Sequence, residues 1–360
     1  MLIVTPLGPG AATYFLDGPV PGRWVGAGPA ELGLEGDVGG PELRRVLRGQ
    51  GPRDGRYLPV WPGRRRAGWD LTFAAPKSLS LIAALNPPPV HADLAEAHRR
   101  AVRESLAFLQ HHGCWARREG TLVGISGPVA AAWDHVGSAA GDPHLHTHVV
   151  IANLARGTDG RWSALANGPL WRCEREAGAV YRLALRHHVA RAGYGVEWEL
   201  HANGLADVAG VPRAALDAAS TRHHEVVDAM GRLEQPNRRV RRASRARTRS
   251  QDADRRWRAA VEDAGFGPDR AATLLHRSRG SPRPPGLPGL AALPADAERA
   301  AREVLERGAS SFSRFDVIRA LAATWPGGAS GDEVVEAATR FCERCLPLEA
   351  PGPATAGRWT

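Results

Sequence analysis

Lysine is almost missing from this chain: of 47 formally basic side chains, one is lysine, Lys77, and the rest are arginine. A Gly-x-x-x-x-Gly-Lys-Ser/Thr loop therefore has nowhere to form except at Lys77, and the residues before Lys77 do not fit one. P-loop ATPase chemistry is excluded, and ATP is not expected as a partner. Cysteine is scarce too. Cys114, Cys173, Cys342 and Cys345 are too few and too scattered for a disulfide framework. Cys342-x-x-Cys345 lacks the second pair that a zinc site needs and reads as two ordinary helix residues. No apolar run approaches a bilayer span, and Met1-Leu-Ile-Val-Thr-Pro carries no charged segment leading into a long apolar one. The expectation is a soluble, cytoplasmic protein without membrane insertion. Phenylalanines number 7 and tyrosines 4, against 11 tryptophans. A core of this size needs large apolar side chains, so most of Trp24, Trp61, Trp69, Trp115, Trp133 and Trp162 are expected inside, although each also offers a surface on which a base can stack.

What is present is positive charge and histidine. A net charge of +9 carried by guanidinium groups favours a polyanionic partner, because arginine grips phosphate through two parallel N–H donors. Two arginine runs stand out. Arg64-Arg65-Arg66 precedes a strand-like segment and suits contact with a phosphate backbone, while Arg238 to Arg249 reads equally as a solvated helix face or arm. The histidines are more specific. His135 is followed by Asp142-Pro-His-Leu-His-Thr-His148, and in a strand His144, His146 and His148 share one face while Leu145 and Thr147 take the other. Neutral imidazoles grouped without cysteine suit a divalent ion that keeps positions open for water or substrate oxygen, with manganese, zinc and magnesium all admissible.

Length allows one large domain or two smaller ones. Composition divides the chain into 1–280, which holds the periodic segments and all candidate chemistry, a Pro/Gly-rich linker at 281–295, a small helical module at 296–350 and a tail at 351–360. Strands are expected at Trp69 to Phe73, Leu122 to Gly124, Val129 to Asp134 and His146 to Ala152. Helices are expected from Ala74 to Leu85, stopped by Pro87, Pro88 and Pro89, and at His91 to His111 and Glu174 to Ala192. In the module, helices are expected at Asp296 to Arg307, Ser313 to Ala323 with Ser313 as cap, and Asp332 to Cys345. The strand running into a helix that opens on Lys77 and Ser78 is a ready anion site.

Gly68-Trp-Asp-Leu-Thr-Phe-Ala-Ala-Pro-Lys-Ser-Leu-Ser80, His135, Asp142 to His148 and Asn153 together resemble the conjugative relaxases of the TrwC/TraI type, within the HUH group of single-strand endonucleases. The likeness continues through Gly160-Arg-Trp-Ser-Ala-Leu165, Ala177-Gly-Ala-Val-Tyr181 and Ala219-Ser-Thr-Arg222, and Phe312 to Cys345 is similar to the helical part that joins relaxase to helicase in longer members. The resemblance implies an α/β (α+β) fold: a mainly antiparallel sheet with the histidine strand central and helices on the opposite face, followed by the helical module.

It also implies metal-dependent nicking and strand transfer of single-stranded DNA at a transfer origin, through a covalent 5′-phosphotyrosine. Tyr14, ahead of Gly22-Arg-Trp-Val-Gly26, matches the family nucleophile, and His135, His146 and His148 match the metal ligands. Asp70 takes the tyrosine proton or fixes the tautomer of a ligating histidine, two roles the sequence leaves open. Lys77 neutralises a phosphate. Accessory relaxosome proteins and a coupling protein are implied as partners. Departures from the pattern are Phe15 where relatives often pair tyrosines, Ala139 where an arginine often follows the serine, and His144 where glutamine is commoner, read as a plain exposed histidine. The chain stops at Thr360 where longer relatives continue into a helicase, which implies either a stand-alone or a truncated relaxase. The rivals are a rolling-circle replication initiator with the same chemistry, a DNA-binding homologue without turnover, and a metallohydrolase that binds no nucleic acid.

Overall fold

The computed structural model describes residues 1–8, 10–58, 66–222, 224–225, 251–279, 295–308, 310–349 and 357–359. Arg64 and Arg65, Trp61, the run Arg238 to Arg249 and residues 281–294 of the expected 281–295 linker lie outside the described residues, while Ala295 opens a helix. The strands are β1 (Leu2–Leu7), β2 (Arg23–Val25), β3 (Gly68–Ala74), β4 (Ala116–Arg118), β5 (Thr121–Val123), β6 (Ala130–Gly137), β7 (Pro143–Ala152), β8 (Ala155–Arg156), β9 (Trp162–Ser163), β10 (Trp198–Leu200), β11 (Ala206–Val208), β12 (Pro347–Glu349) and β13 (Arg358–Trp359). The helices are α1 (Ala12–Leu16), α2 (Gly40–Leu47), α3 (Lys77–Leu85), α4 (Pro88–His112), α5 (Asn167–Arg172), α6 (Glu174–Arg191), α7 (Arg213–Ala218), α8 (Gln251–Asp263), α9 (Pro268–Arg279), α10 (Ala295–Gly308), α11 (Arg314–Thr324) and α12 (Gly331–Glu343).

Five strands form one antiparallel sheet in the order β1-β3-β7-β6-β2, which puts the histidine strand β7 at its centre. Side-chain alternation then builds two apolar layers. Trp69, Leu71, Phe73, Leu145, Val149 and Ile151 face α3, α4 and α6 in the larger core. On the other face Val150, Ala152, Ala131 and Trp133 meet α1 and α2 through Phe15, Leu43 and Val46. Helices thus lie on both faces: the long ones on one, and the two short ones, α1 and α2, on the histidine face, with α1 beside His148.

Several boundaries differ from the pattern-based reading. Pro88 and Pro89 open α4 rather than only ending α3, because a proline in the first turn gives up an N–H that has no partner there. Strand β6 continues through His135 to Gly137, and β7 begins at Pro143, so both histidine-bearing ends are sheet rather than loop. Cys342 ends up in α12, but Cys345 lies just past its end. The three C-terminal helices form where periodicity put them, and Ser313 and Ser330 both make capping boxes, with Asp316 and Glu333. α11 packs on α6, α12 on α4 and α6, and α10 on α11, and all three share the larger core through Ala301, Leu305, Val317, Leu321 and Phe341. No helix among the described residues is long and apolar enough to cross a membrane.

Candidate active site

The register of the sheet assembles the histidines. His135 on β6 pairs directly with His146 on β7, while His148 stands between Trp133 on β6 and Thr72 on β3. Ring centroids are 5.0 Å apart for His135–His146, 5.2 Å for His146–His148 and 5.6 Å for His135–His148. Asp70 comes from β3 on the same face. It is 9% exposed, and both its carboxylate oxygens lie 3.0 Å from Nδ1 of His148, with the Thr72 hydroxyl oxygen 3.2 Å from that nitrogen. A carboxylate only accepts, so Nδ1 carries the proton and the Nε2 lone pair of His148 is left for another partner.

His146 directs Nδ1 to the carbonyl of His144 at 3.0 Å, which likewise leaves Nε2 for other use. Burial pushes His135 down to about 4, and the His148 imidazole beside it acts in the same direction. Burial and the neighbouring imidazoles hold His146 well below its ordinary value. Both rings are therefore neutral near pH 7, the form that donates a lone pair to a metal. The donor set suits a divalent ion in chemistry and proximity. The ring orientations do not yet converge: His135 and His146 are stacked at 20°, and among the described residues no three His, Cys, Asp or Glu donors are gathered as a finished coordination sphere.

Tyr14 sits on α1 and is 50% exposed, with its ring 6.1 Å from that of His148 and nearly perpendicular to it. The neighbouring Phe15 is buried. Its ring is 5.0 Å from Trp133 and 5.8 Å from His148, so it anchors α1 to the sheet and turns Tyr14 outward at the edge of the histidine cluster. Lys77 stands at the start of α3, where Nζ donates to the Pro143 carbonyl at 2.9 Å. Burial lowers its pKa to about 8, while Asp142 works in the opposite direction. His144 is not the plain exposed histidine expected from the sequence. It is half-buried, stacked on His146 at 4.6 Å, and lowered to about 4 by burial and then by Lys77. A row of polar groups thus runs along β7 from Lys77 through His144 and His146 to His148 and Tyr14.

Other motif residues act as supports. Asp142, buried, accepts from the backbone N–H of Arg222 at 2.9 Å and from the Ser138 hydroxyl at 3.2 Å, which ties the 138–142 turn to the Ala219–Arg222 segment. Asn153 donates to the Arg66 carbonyl and accepts from the Leu165 N–H, joining the end of β7 to the Gly160–Leu165 segment. Sequence reasoning missed Thr72, whose hydroxyl reaches His148, and the anchoring by Phe15. The signal for Thr72 was its place two residues after Asp70 on the same strand face.

The sequence model of the TrwC relaxase family matches residues 8–264. Over 234 residues the chain is 32% identical to the multifunctional conjugation protein TraI of Escherichia coli, a match that covers 61% of this chain and 13% of TraI. The chain therefore spans only a small part of the curated relative's length. Among solved structures it is similar to the conjugative relaxase TrwC in complex with oriT DNA in a metal-bound form, at 29% identity and a TM-score of 0.63, over 74% of this chain and 100% of that one. It is also similar to TrwC complexed with a 27-mer DNA comprising the recognition hairpin and the cleavage site, at 27% identity and a TM-score of 0.60, with the same coverage.

Proposed function

The chain belongs to the TrwC relaxase family, and from that premise we propose that it nicks and rejoins single-stranded DNA at a conjugative transfer origin through a covalent phosphotyrosine at Tyr14. The observation that carries this reading is the placement of an exposed Tyr14 ring 6.1 Å from His148, itself held by Asp70 beside His135 and His146. In the forward step the Tyr14 oxygen attacks phosphorus and the bond from phosphorus to the 3′-oxygen breaks. The 5′-phosphate remains on Tyr14, the phenol proton passes to an acceptor, and the 3′-oxygen leaves as a hydroxyl once protonated. The ester bond is conserved, so a returning 3′-hydroxyl reverses the step.

In this reading His135, His146 and His148 are the residues that would hold a divalent ion, which would supply Lewis-acid polarisation of the scissile phosphate. Asp70 fixes the tautomer of His148, the role its bonding supports over that of proton acceptor for Tyr14. Lys77 places a positive charge at the other end of the row, where a neighbouring phosphate of the same strand would lie. Phe15 occupies the place of a second tyrosine and is buried as an anchor, which supports a single-tyrosine cycle. The division into a nuclease domain at 1–280 and a helical module at 296–350 belongs to the same reading, with the module docked on α4 and α6. Accessory relaxosome proteins and a coupling protein are its proposed partners, and cytoplasm its proposed compartment.

The test is a denaturing gel of the full chain with labelled single strands tiling the surrounding element, with manganese or magnesium, alongside Tyr14→Phe and His146→Ala. A protease-sensitive band that resists denaturant and appears only in the wild type is the expected result. Strands that bind without forming an adduct in the wild type would overturn the enzymatic reading.

A further inference from the structure

Behind the histidine face, four buried or half-buried polar side chains from α6, α4, β7 and β6 form one continuous column. His98 on α4 is 3% exposed and lies between two hydroxyls: Tyr181 on α6, 2.8 Å from Nδ1, and Thr147 on β7, 2.9 Å from Nε2. The Thr147 hydroxyl continues to a carboxylate oxygen of Asp134 on β6, at 2.5 Å. The other oxygen of Asp134 accepts from Arg23 on β2. Thr147 stands between His146 and His148, and Asp134 is directly before His135. Thr147 and Asp134 are also paired in the sheet register. The column therefore grips the two strands at the very residues that alternate with the three histidines.

The direction of every bond is fixed by the acceptor at one end. Asp134 can only accept, so the Thr147 O–H donates to it. The Thr147 oxygen must then accept from Nε2–H of His98, and His98 Nδ1 accepts from the Tyr181 O–H. Burial holds His98 neutral, at about 3, consistent with one N–H and one lone pair. Each group in this column would cost free energy in an apolar core if left unpaired, and here each has a partner. An apolar contact can slide by a fraction of an ångström, whereas a chain of directional bonds cannot do so without breaking.

We infer that Tyr181, His98, Thr147 and Asp134 are positioning residues that set the relative placement of His135, His146 and His148 for ion binding, from the opposite face of the sheet. This rests on the reading of those three histidines as the ligand set. No local pattern marks the column, since His98 and Thr147 are 49 residues apart and Tyr181 is 83 from His98.

The test uses the full metal-free chain titrated with manganese chloride by calorimetry, well below the melting temperature of each variant. Thr147→Val keeps the side-chain shape and removes the hydroxyl, while Thr147→Ser keeps the hydroxyl. His146→Ala controls for the ligand set itself. Long-range proton–nitrogen spectra of the histidine rings in the metal-free protein report the tautomer of His98. The expected result is manganese affinity about tenfold weaker in Thr147→Val, restored by Thr147→Ser, with His98 losing its Nε2–H tautomer only in the valine variant. A general packing role would lower the melting temperature of both variants without this split. If Thr147→Val does not fold, Tyr181→Phe, which keeps the ring against Phe73, carries the test with a smaller fall in the same direction. Wild-type affinity in a folded Thr147→Val or Tyr181→Phe, with binding lost in His146→Ala, overturns the positioning role alone. Equal binding by the wild type and His146→Ala overturns the ligand set, and the inference with it.

Discussion

Asp70 and His148 come from adjacent strands 78 residues apart in sequence, and both carboxylate oxygens of Asp70 sit 3.0 Å from the same imidazole nitrogen. The pair turns one of three histidines into a ring with a fixed tautomer and a free lone pair, beside an exposed tyrosine. Among the described residues the other two rings are held by ring contacts and one backbone hydrogen bond. His148 is thus the best-oriented member of the set, and its partner is the natural place to probe the site.

Asp70→Asn keeps the shape of the side chain and removes its charge. Manganese affinity should fall ten- to a hundredfold, the usual cost of losing a carboxylate behind a ligating histidine, with the fold preserved by circular dichroism. Titration calorimetry reads this directly, and wild-type affinity would remove Asp70 from the site.

Lys77 gives the reaction a pH limb. Its folded pKa of about 8 lies below the ordinary 10.5, so its positive charge is present below about pH 8 and lost as pH rises through that value. In Lys77→Arg the charge persists, and the rate of adduct formation relative to wild type should rise from pH 7 to 9. The stability effect has a definite sign as well. Between about 8 and 10.5 the unfolded chain holds a proton that the folded chain has released, so this group's contribution to stability increases with pH across that window and is constant below it. Denaturant titrations of wild type and Lys77→Arg at pH 7.5 and 9.5 measure the difference.

Gly22→Ala should disturb the nucleophile from a distance. A Cβ at Gly22 would stand 2.3 Å from Cε2 of the buried Trp133, whose ring packs on Phe15 beside Tyr14. Overpacking of this kind costs about 1–3 kcal/mol. Urea unfolding should show that loss, and adduct formation should slow while Tyr14 itself is intact.

Glu104 on α4 ties the last helix to the two long helices, accepting from His188 on α6 and from the backbone N–H of Gly331 at the start of α12, each at 2.6 Å. Glu104→Ala should cost about 1–3 kcal/mol, the range for leaving buried donors unpaired. The rate of adduct formation at 25 °C should be unchanged, since neither contact touches the histidine face. A fall in rate with unchanged stability would reverse this assignment.

Much of the site was legible because the signals are local. Alternation along a strand put His144, His146 and His148 on one face without any knowledge of the sheet, and helical periodicity, with Ser313 as the one expected cap, placed α10, α11 and α12 to within two residues at either end. The motifs Gly68 to Ser80, His135, Asp142 to His148 and Asn153 carried the family resemblance, and Tyr14 followed from it. Less was legible where burial decides. His144 read as exposed because nothing in its neighbours says that Lys77 and His146 close over it. The short helix α1 was not expected, since Ala12–Leu16 is too brief for periodicity to register.

Local pattern alone marked the candidate side chains and the face of their own strand or helix on which they lie, because a two-residue or 3.6-residue period is fixed by backbone geometry. Which of them meet follows from long-range packing. Strand register brings His135 opposite His146 and Asp70 to His148, the docking of Phe15 on Trp133 places an exposed Tyr14 at their edge, and the packing of α4 and α6 delivers His98 and Tyr181 to Thr147. Those distances depend on how segments many tens of residues apart pack and pair, a free-energy balance summed over the whole core that no local pattern records.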